Sequence, residues 1–293
     1  MMKIHLLFAL MCVGIGLSAQ AQPRLQAPSR QSAPAILSVS HAASGVGIVS
    51  PGCAVVITGG QFAVESNQAQ HWPLPMTLSG VTVEIGGIEA ALYYAGPTEI
   101  RAIVPDVPRK IGLPARDLFD ESGDWGARRP SVPELFLAAG ALEGLSAIQK
   151  PLVRWYAVEV SSPFGHFSGW AAIAPTSPGF YQQTDWFSGQ TVAQGIYLAE
   201  GAPPRLITAE PIANLNTYLI VNGSGFLRAK SVWVFISDEA DGYWAVPATA
   251  GPMGLFTWIE QVSFAIPPDA HGQLTIVAQA DAMTSNPLTV LVR

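Results

Sequence analysis

The sequence predicts an all-β protein built as two β-sandwiches in tandem, the first interrupted by a partly helical or irregular insertion. Three observations carry that prediction. Only 12% of the residues are charged, against 28 Gly and 24 Pro, a composition that favours short strands and turns over long surface helices. The strand-like runs alternate apolar and polar side chains, as a half-buried pleated strand requires. The second half of the chain then repeats the strand pattern of the first.

The N-terminus, MMKIHLLFALMCVGIGLSAQAQ, combines Lys3, an apolar run from Leu6 to Leu17 and the small-residue site Ala19-Gln20-Ala21. That pattern predicts a secretory signal peptide over residues 1–21. Its apolar run is shorter than the roughly 20 residues that span a bilayer, and no later segment is long and apolar enough. Met11 before Cys12 argues against a lipid attachment site. Loss of residues 1–21 removes Lys3 and no acid, so the net charge moves from −6 to −7. A mildly acidic chain without a basic run is a poor partner for nucleic acid, because binding phosphates needs clustered Lys and Arg. Cys53 is the remaining cysteine, which excludes an intramolecular disulfide, and its apolar neighbours predict a buried, inert thiol.

Residues 22–35 read as a flexible lead-in. ILSVS from Ile36 and the β-branched run AVVITG, closed by Gly59-Gly60, are strand signals. In VTVEI, Val81, Val83 and Ile85 share one face and Thr82 and Glu84 the other. Gly86-Gly87 then predicts a primed hairpin turn, since both positions tolerate positive φ. The return strand carries Ala90, Leu92 and Tyr94, and RAIVP follows, closed by Pro105, which cannot donate to a ladder. The 106–150 insertion concentrates charge, Pro and Gly. Within it Ser131, Pro133 and Glu134 form a capping-box pattern that predicts a short helix near 132–144. Strand texture returns at VRWYAVEVSS and GWAAIA.

The duplication sets the domain boundaries. AVVITGGQF (54–62) aligns with YLIVNGSGF (218–226), VTVEI (81–85) with VWVFI (232–236), and EIRAIVP (99–105) with EQVSFAIP (260–267) after one inserted residue. The first sandwich is therefore expected over 36–182, a connecting segment over 183–203 and the second sandwich over 204–293.

These stretches carry a resemblance. HAASGVGIVSPGCAVVITGGQFA, LPMTLSGVTVEIGGIEAALYYAGPTEIRAIVP, APTSPGFY and the tail GLFTWIEQVSFAIP with MTSNPLTVLV resemble the Solibacter-type uncharacterised C-terminal domain, an acidobacterial secreted module. The likeness covers most of 36–293. It departs at His41 and Arg101, where the family has Asn, at Cys53, where Ser is common, and at the 106–150 insertion. The resemblance implies export and an immunoglobulin-like (IPT/TIG-like) form for each sandwich. It implies no activity, cofactor or catalytic residue.

Catalytic and metal motifs are thin. His41, His71, His166 and His271 stand far apart and outside zinc-ligand spacings. Gly223-Ser224-Gly225 falls at a strand end and reads as a turn, not a nucleophile elbow. Asn222-Gly223-Ser224 matches a glycosylation sequon, an accidental match if the source is bacterial, as the resemblance suggests. Two acidic groups, Asp117, Asp120, Glu121 and Asp124, then Asp238, Glu239 and Asp241, could face a calcium ion but lack its loop spacing. They read as solvated turns, so no cofactor or metal is expected. The aromatics are more informative. Alternation puts Trp233 and Phe235 on the face that is polar in the first copy, and Trp155 on the face of Glu159. Such outward rings are either covered by neighbouring structure or form a contact surface for a protein or glycan partner, with Trp72 and Trp186 in loops as further stacking candidates. The expected function is a secreted, non-catalytic binding or spacer module at the cell surface. The alternatives are an extracellular polysaccharide-acting hydrolase or its accessory module, whose acids would come from the insertion, and a subunit of a larger extracellular assembly.

Overall fold

The computed structural model describes residues 35–107, 113–114, 153–185, 187–214, 216–240, 242–254 and 256–293. The leader, the expected helix at 132–144 and the acids Asp117, Asp120, Glu121 and Asp124 lie outside the described residues, as does Trp186. All the elements described are strands. No helix among the described residues is long and apolar enough to cross a membrane.

In the first half, a five-stranded sheet runs in the order Ile36–His41, Ala54–Gly59, Glu99–Ile103, Leu92–Ala95, Asn67–Gln68. A seven-stranded sheet is built on Ile48–Val49, Gly165–Ile173, Arg154–Ser162, Val81–Ile85 and Thr77–Leu78, in that order. Both sheets contribute to one core. Val55, Ile57, Leu92 and Ile100 come from the first sheet and Val83, Ile85, Val158 and Val160 from the second. That arrangement is consistent with a β-sandwich.

Alternation decides what enters this core. Val81, Val83 and Ile85 are buried and Glu84 is exposed, because successive strand residues point to opposite faces. Gly86 and Gly87 adopt φ of 61° and 75° and close the hairpin that pairs Glu84 with Glu89 and Ile85 with Ile88. The return strand differs from expectation. Only Ile88–Glu89 pairs back, after which the chain crosses to the other sheet and Leu92–Ala95 pairs with Glu99–Ile103. Ala90 and Leu92 are both buried at the crossing, and their N–H groups donate to the Val83 and Pro75 carbonyls at 2.8 Å each. The strand changes sheets because that keeps its backbone paired while both side chains stay in the core.

In the second half, a ten-stranded sheet orders Arg205–Leu206, Gly195–Leu198, Tyr218–Ser224, Phe256–Ala265, Tyr243–Met253, Val232–Ser237, Gly272–Ala280 and Met283–Thr284. Gly179–Phe180 joins Tyr218–Ser224 at one side, and Leu288–Val292 joins Gly272–Ala280. Gly195–Leu198 lies inside the stretch expected to connect the halves, yet it pairs along Tyr218–Ser224 as a strand of this sheet. The eleven-residue strand Tyr243–Met253 turns the corner. It pairs with Val232–Ser237 up to Ala248, and with Phe256–Ala265 from Thr249 onward. This folds the sheet over a core of Leu219, Val221, Val262 and Phe264 against Val234, Ile236, Leu274 and Ile276.

Pro34–Arg293 form one compact unit, and several contacts fasten the halves together. Trp258 stacks on Tyr93 (centroids 6.0 Å apart, planes 12° apart) and meets Trp72 at 5.4 Å. The Ser177 N–H donates to the Gly225 carbonyl at 3.2 Å, and the Thr176 hydroxyl to the Ala280 carbonyl at 3.2 Å. Arg228 pairs with Asp106 at 3.0 Å, near solvent, where such a bridge contributes little.

Candidate functional site

The outer face of the second half is set by the register of three strands. Trp233 lies between Pro247 and Gln279, Phe235 between Ala245 and Val277, and Ser237 between Tyr243 and Thr275. Trp233 is 44% exposed and Tyr243 59%. The Phe235 and Tyr243 rings lie 6.1 Å apart with planes 22° from parallel. Inward from the same strand, Val234 and Ile236 are fully buried, so packing beneath the sheet fixes the strand that carries the outer rings. The result is one outer face that carries exposed Trp233 and Tyr243 with the half-buried Phe235 ring between their positions.

The other sequence candidates do not join it. Trp155 sits partly covered beside Ile48, Ala172 and Ala174, with Met283 from the second half against the same cluster. Trp72 is 49% exposed, but one side of its ring is taken by Trp258 at the junction. Several exposed rings were not among the sequence candidates, Tyr243 and Trp170 among them. Tyr243 follows the Asp238 turn, and only strand register places it opposite Ser237, on the face of Trp233. Trp170 is 42% exposed on the other half's seven-stranded sheet, opposite Ala157. It alternates with the inward positions Phe167, Gly169 and Ala171, but Gly169 has no side chain, which weakened the apolar pattern that marks Trp170 as outward.

Asp238, Asp185, His166 and Cys53 are engaged in local hydrogen bonds, mostly to backbone N–H groups. Asp238 Oδ1 accepts the Ala240 and Gly242 N–H groups at 3.0 and 2.7 Å and so caps the hairpin, the role of an Asx turn. Asp185 Oδ1 accepts from the Phe187 and Ser188 N–H groups and the Ser188 hydroxyl, and these bonds hold its carboxyl below the usual range. His166 Nδ1 lies 2.8 Å from the Ser161 hydroxyl on an exposed strand pair. Cys53 is fully buried, and its sulfur accepts the Ser50 N–H at 3.3 Å. Burial pushes the thiol up to about 12.

Two buried ionisable groups stand out at the junction. Glu260 is 2% exposed and cradled by the turn after Tyr218–Ser224. Its Oε1 accepts the Gly225 N–H at 3.0 Å and its Oε2 the Phe226 N–H at 2.6 Å. Burial raises its pKa to about 7 against the opposing pull of the Phe226, Gly225 and Leu227 N–H groups. His41 Nδ1 accepts the Ala43 and Ser44 N–H groups at 3.2 Å each, so the neutral ring carries its proton on Nε2. That Nε2 is buried without a hydrogen-bond partner, and burial lowers the His41 pKa to about 4. Among the described residues, no three His, Cys, Asp or Glu side chains converge as a metal site would require. No protein-family model and no curated protein sequence matches this chain.

Proposed function

We propose that this chain is an exported, non-catalytic binding module made of two tandem immunoglobulin-like β-sandwich units, of the kind found in the Solibacter-type C-terminal domain. The observation that carries the binding role is the exposed surface of Trp233, Phe235 and Tyr243, on a face where the first half presents Thr82 and Glu84. Large contiguous apolar exposure on a folded surface is retained where something binds it. The non-catalytic reading is supported by the backbone commitments of Asp185, Asp238, His41 and Glu260.

The tandem reading draws support from strand order. Ile36–His41, Ala54–Gly59, Glu99–Ile103 and Leu92–Ala95 neighbour one another as Gly195–Leu198, Tyr218–Ser224, Phe256–Ala265 and Tyr243–Met253 do. Gly165–Ile173, Arg154–Ser162 and Val81–Ile85 run like Leu288–Val292, Gly272–Ala280 and Val232–Ser237. Equivalent details recur. A Cβ on Gly59 would fall 2.4 Å from the Phe62 ring, and one on Gly223 2.7 Å from the Phe226 ring. Each glycine is followed two residues later by a positive φ, 63° at Gln61 and 84° at Gly225. Export rests on the leader pattern at residues 1–21.

A glycan-array and pull-down screen with the purified chain tests the binding role. Binding should disappear in Trp233→Ala at unchanged melting temperature and persist in Trp155→Ala, whose ring is already partly covered. A chain that captures nothing, or that loses binding only in Trp155→Ala, would refute the reading.

A further inference from the structure

The aromatic face has a chemistry of its own. The four adjacent strands Val232–Ser237, Tyr243–Met253, Gly272–Ala280 and Leu288–Val292 contain no Asp, Glu, Lys, Arg or His, in a chain of net charge −6. Beside the rings on the face itself, the polar groups are the hydroxyls and amide of Ser237, Thr275 and Gln279, while the charged Lys230, Asp238, Glu239 and Asp281 lie in the turns at its ends. Gln279 is paired with Trp233, and its amide is fixed by donating to the Asp281 carbonyl at 2.7 Å, which orients its oxygen acceptor. Thr275 stands exposed beside Ser237, one position on from Phe235 along the same face. The corresponding outer face of the first half is different in kind, with Glu84 and Glu159 paired directly and His166 two strands away.

From this we infer that the Trp233–Phe235–Tyr243 face binds a neutral polysaccharide, a deepening that rests on the binding-module reading above. Sugar rings present apolar C–H faces that pack on aromatic rings, while their hydroxyls bond to uncharged amide and hydroxyl groups at the margin. A neutral partner is selected because the face carries no cation to pair with a uronate or sulfate, and a charge docked there would be desolvated without compensation. Extended shape is selected as well. Trp233 and Phe235 are two residues apart on one strand, roughly 7 Å along it, and Tyr243 continues the row 6.1 Å from Phe235. A row of rings on the outer face of a sheet suits a chain lying across it, whereas a protein anchor side chain is best held in a central pocket.

Native electrophoresis of the full chain through gels holding a neutral β-glucan, xylan or mannan, and through alginate as an anionic probe, tests the inference. At least one neutral polysaccharide should retard the chain and alginate should not. Trp233→Ala and Tyr243→Ala should each weaken retardation at least tenfold, while Trp170→Ala, on the other half, should leave it unchanged. Trp233→Phe, which keeps a ring, should retain part of the binding and serves if the alanine variant fails to fold. Retardation by no neutral polysaccharide, retardation by alginate alone, or binding untouched by Trp233→Ala would overturn the inference. Capture of a protein partner that depends on Trp233, with no glycan bound, would overturn it and leave the binding-module reading standing. If Trp233→Ala and Tyr243→Ala left every interaction intact, both would fall.

Discussion

Glu260 and His41 should give the stability of this protein two pH dependences of opposite sign. The perturbation is the isosteric Glu260→Gln and, separately, His41→Asn. Glu260 has its pKa raised from 4.5 to about 7. A raised carboxyl contributes stability that is fully present below pH 4.5 and is lost as pH rises through 7. The gap is worth about 3 kcal/mol at about 1.4 kcal/mol per pH unit. His41 has its pKa lowered from 6.5 to about 4, so its contribution is present above pH 6.5 and is lost as pH falls through 4. That gap is also about 3 kcal/mol. The two nearly cancel in the parent protein, which hides both. Cys53 is pushed to about 12 and Tyr181 is raised by burial, so neither neighbour titrates in this window. Urea unfolding followed by tryptophan fluorescence, at intervals from pH 4 to 8, gives stability relative to the parent at each pH. Glu260→Gln should gain about 3 kcal/mol relative to the parent between pH 4.5 and 7.5. That gain sits on a constant cost of about 1–3 kcal/mol, because an amide can accept only one of the two N–H groups and opposes a donor to the other. His41→Asn should gain about 3 kcal/mol relative to the parent as pH falls from 6.5 to 4. Flat differences across the window, or differences that slope the same way with pH in both variants, would refute the linkage.

Further perturbations probe the core and the junction. Phe62→Ala and Phe226→Ala each empty a fully buried ring site and should cost about 3–5 kcal/mol in denaturant unfolding. Gly225→Ala places a Cβ 2.0 Å from the Ser177 carbonyl oxygen at φ 84°, and calorimetry should show a loss of several kcal/mol, on the order of 4. Trp258→Ala removes the ring between Trp72 and Tyr93. A double-mutant cycle with Trp72→Ala should return a coupling of about 0.5–1.5 kcal/mol. Cys53 should resist a thiol reagent in the native state and react once denaturant is added, because the thiol is fully buried and protonated.

Some of this was written in local pattern. Alternation placed Val81, Val83 and Ile85 inside and left Trp233 and Phe235 on the outer face, since a strand's facing depends only on its own period and its burial. Gly86-Gly87 marked its turn for an equally local reason, the freedom of glycine at positive φ. The lateral order of strands was not legible. Backbone N–H and C=O groups are the same on every strand, so a sequence does not state which strand lies beside which. Hence the sheet change at Ala90–Leu92, the corner in Tyr243–Met253 and the strand at Gly195–Leu198 emerged only in three dimensions. The same holds for the surface. Tyr243 joins Trp233 and Phe235 through register, Trp155 and Trp72 are drawn to the junction, and Glu260, an acid in an alternating strand, is buried by a turn that aims two N–H groups at it. Sequence alone determined which side chains face inward, because that is a property of one strand. Tertiary structure decided which outward side chains share a surface, because that depends on pairing between strands far apart in the chain.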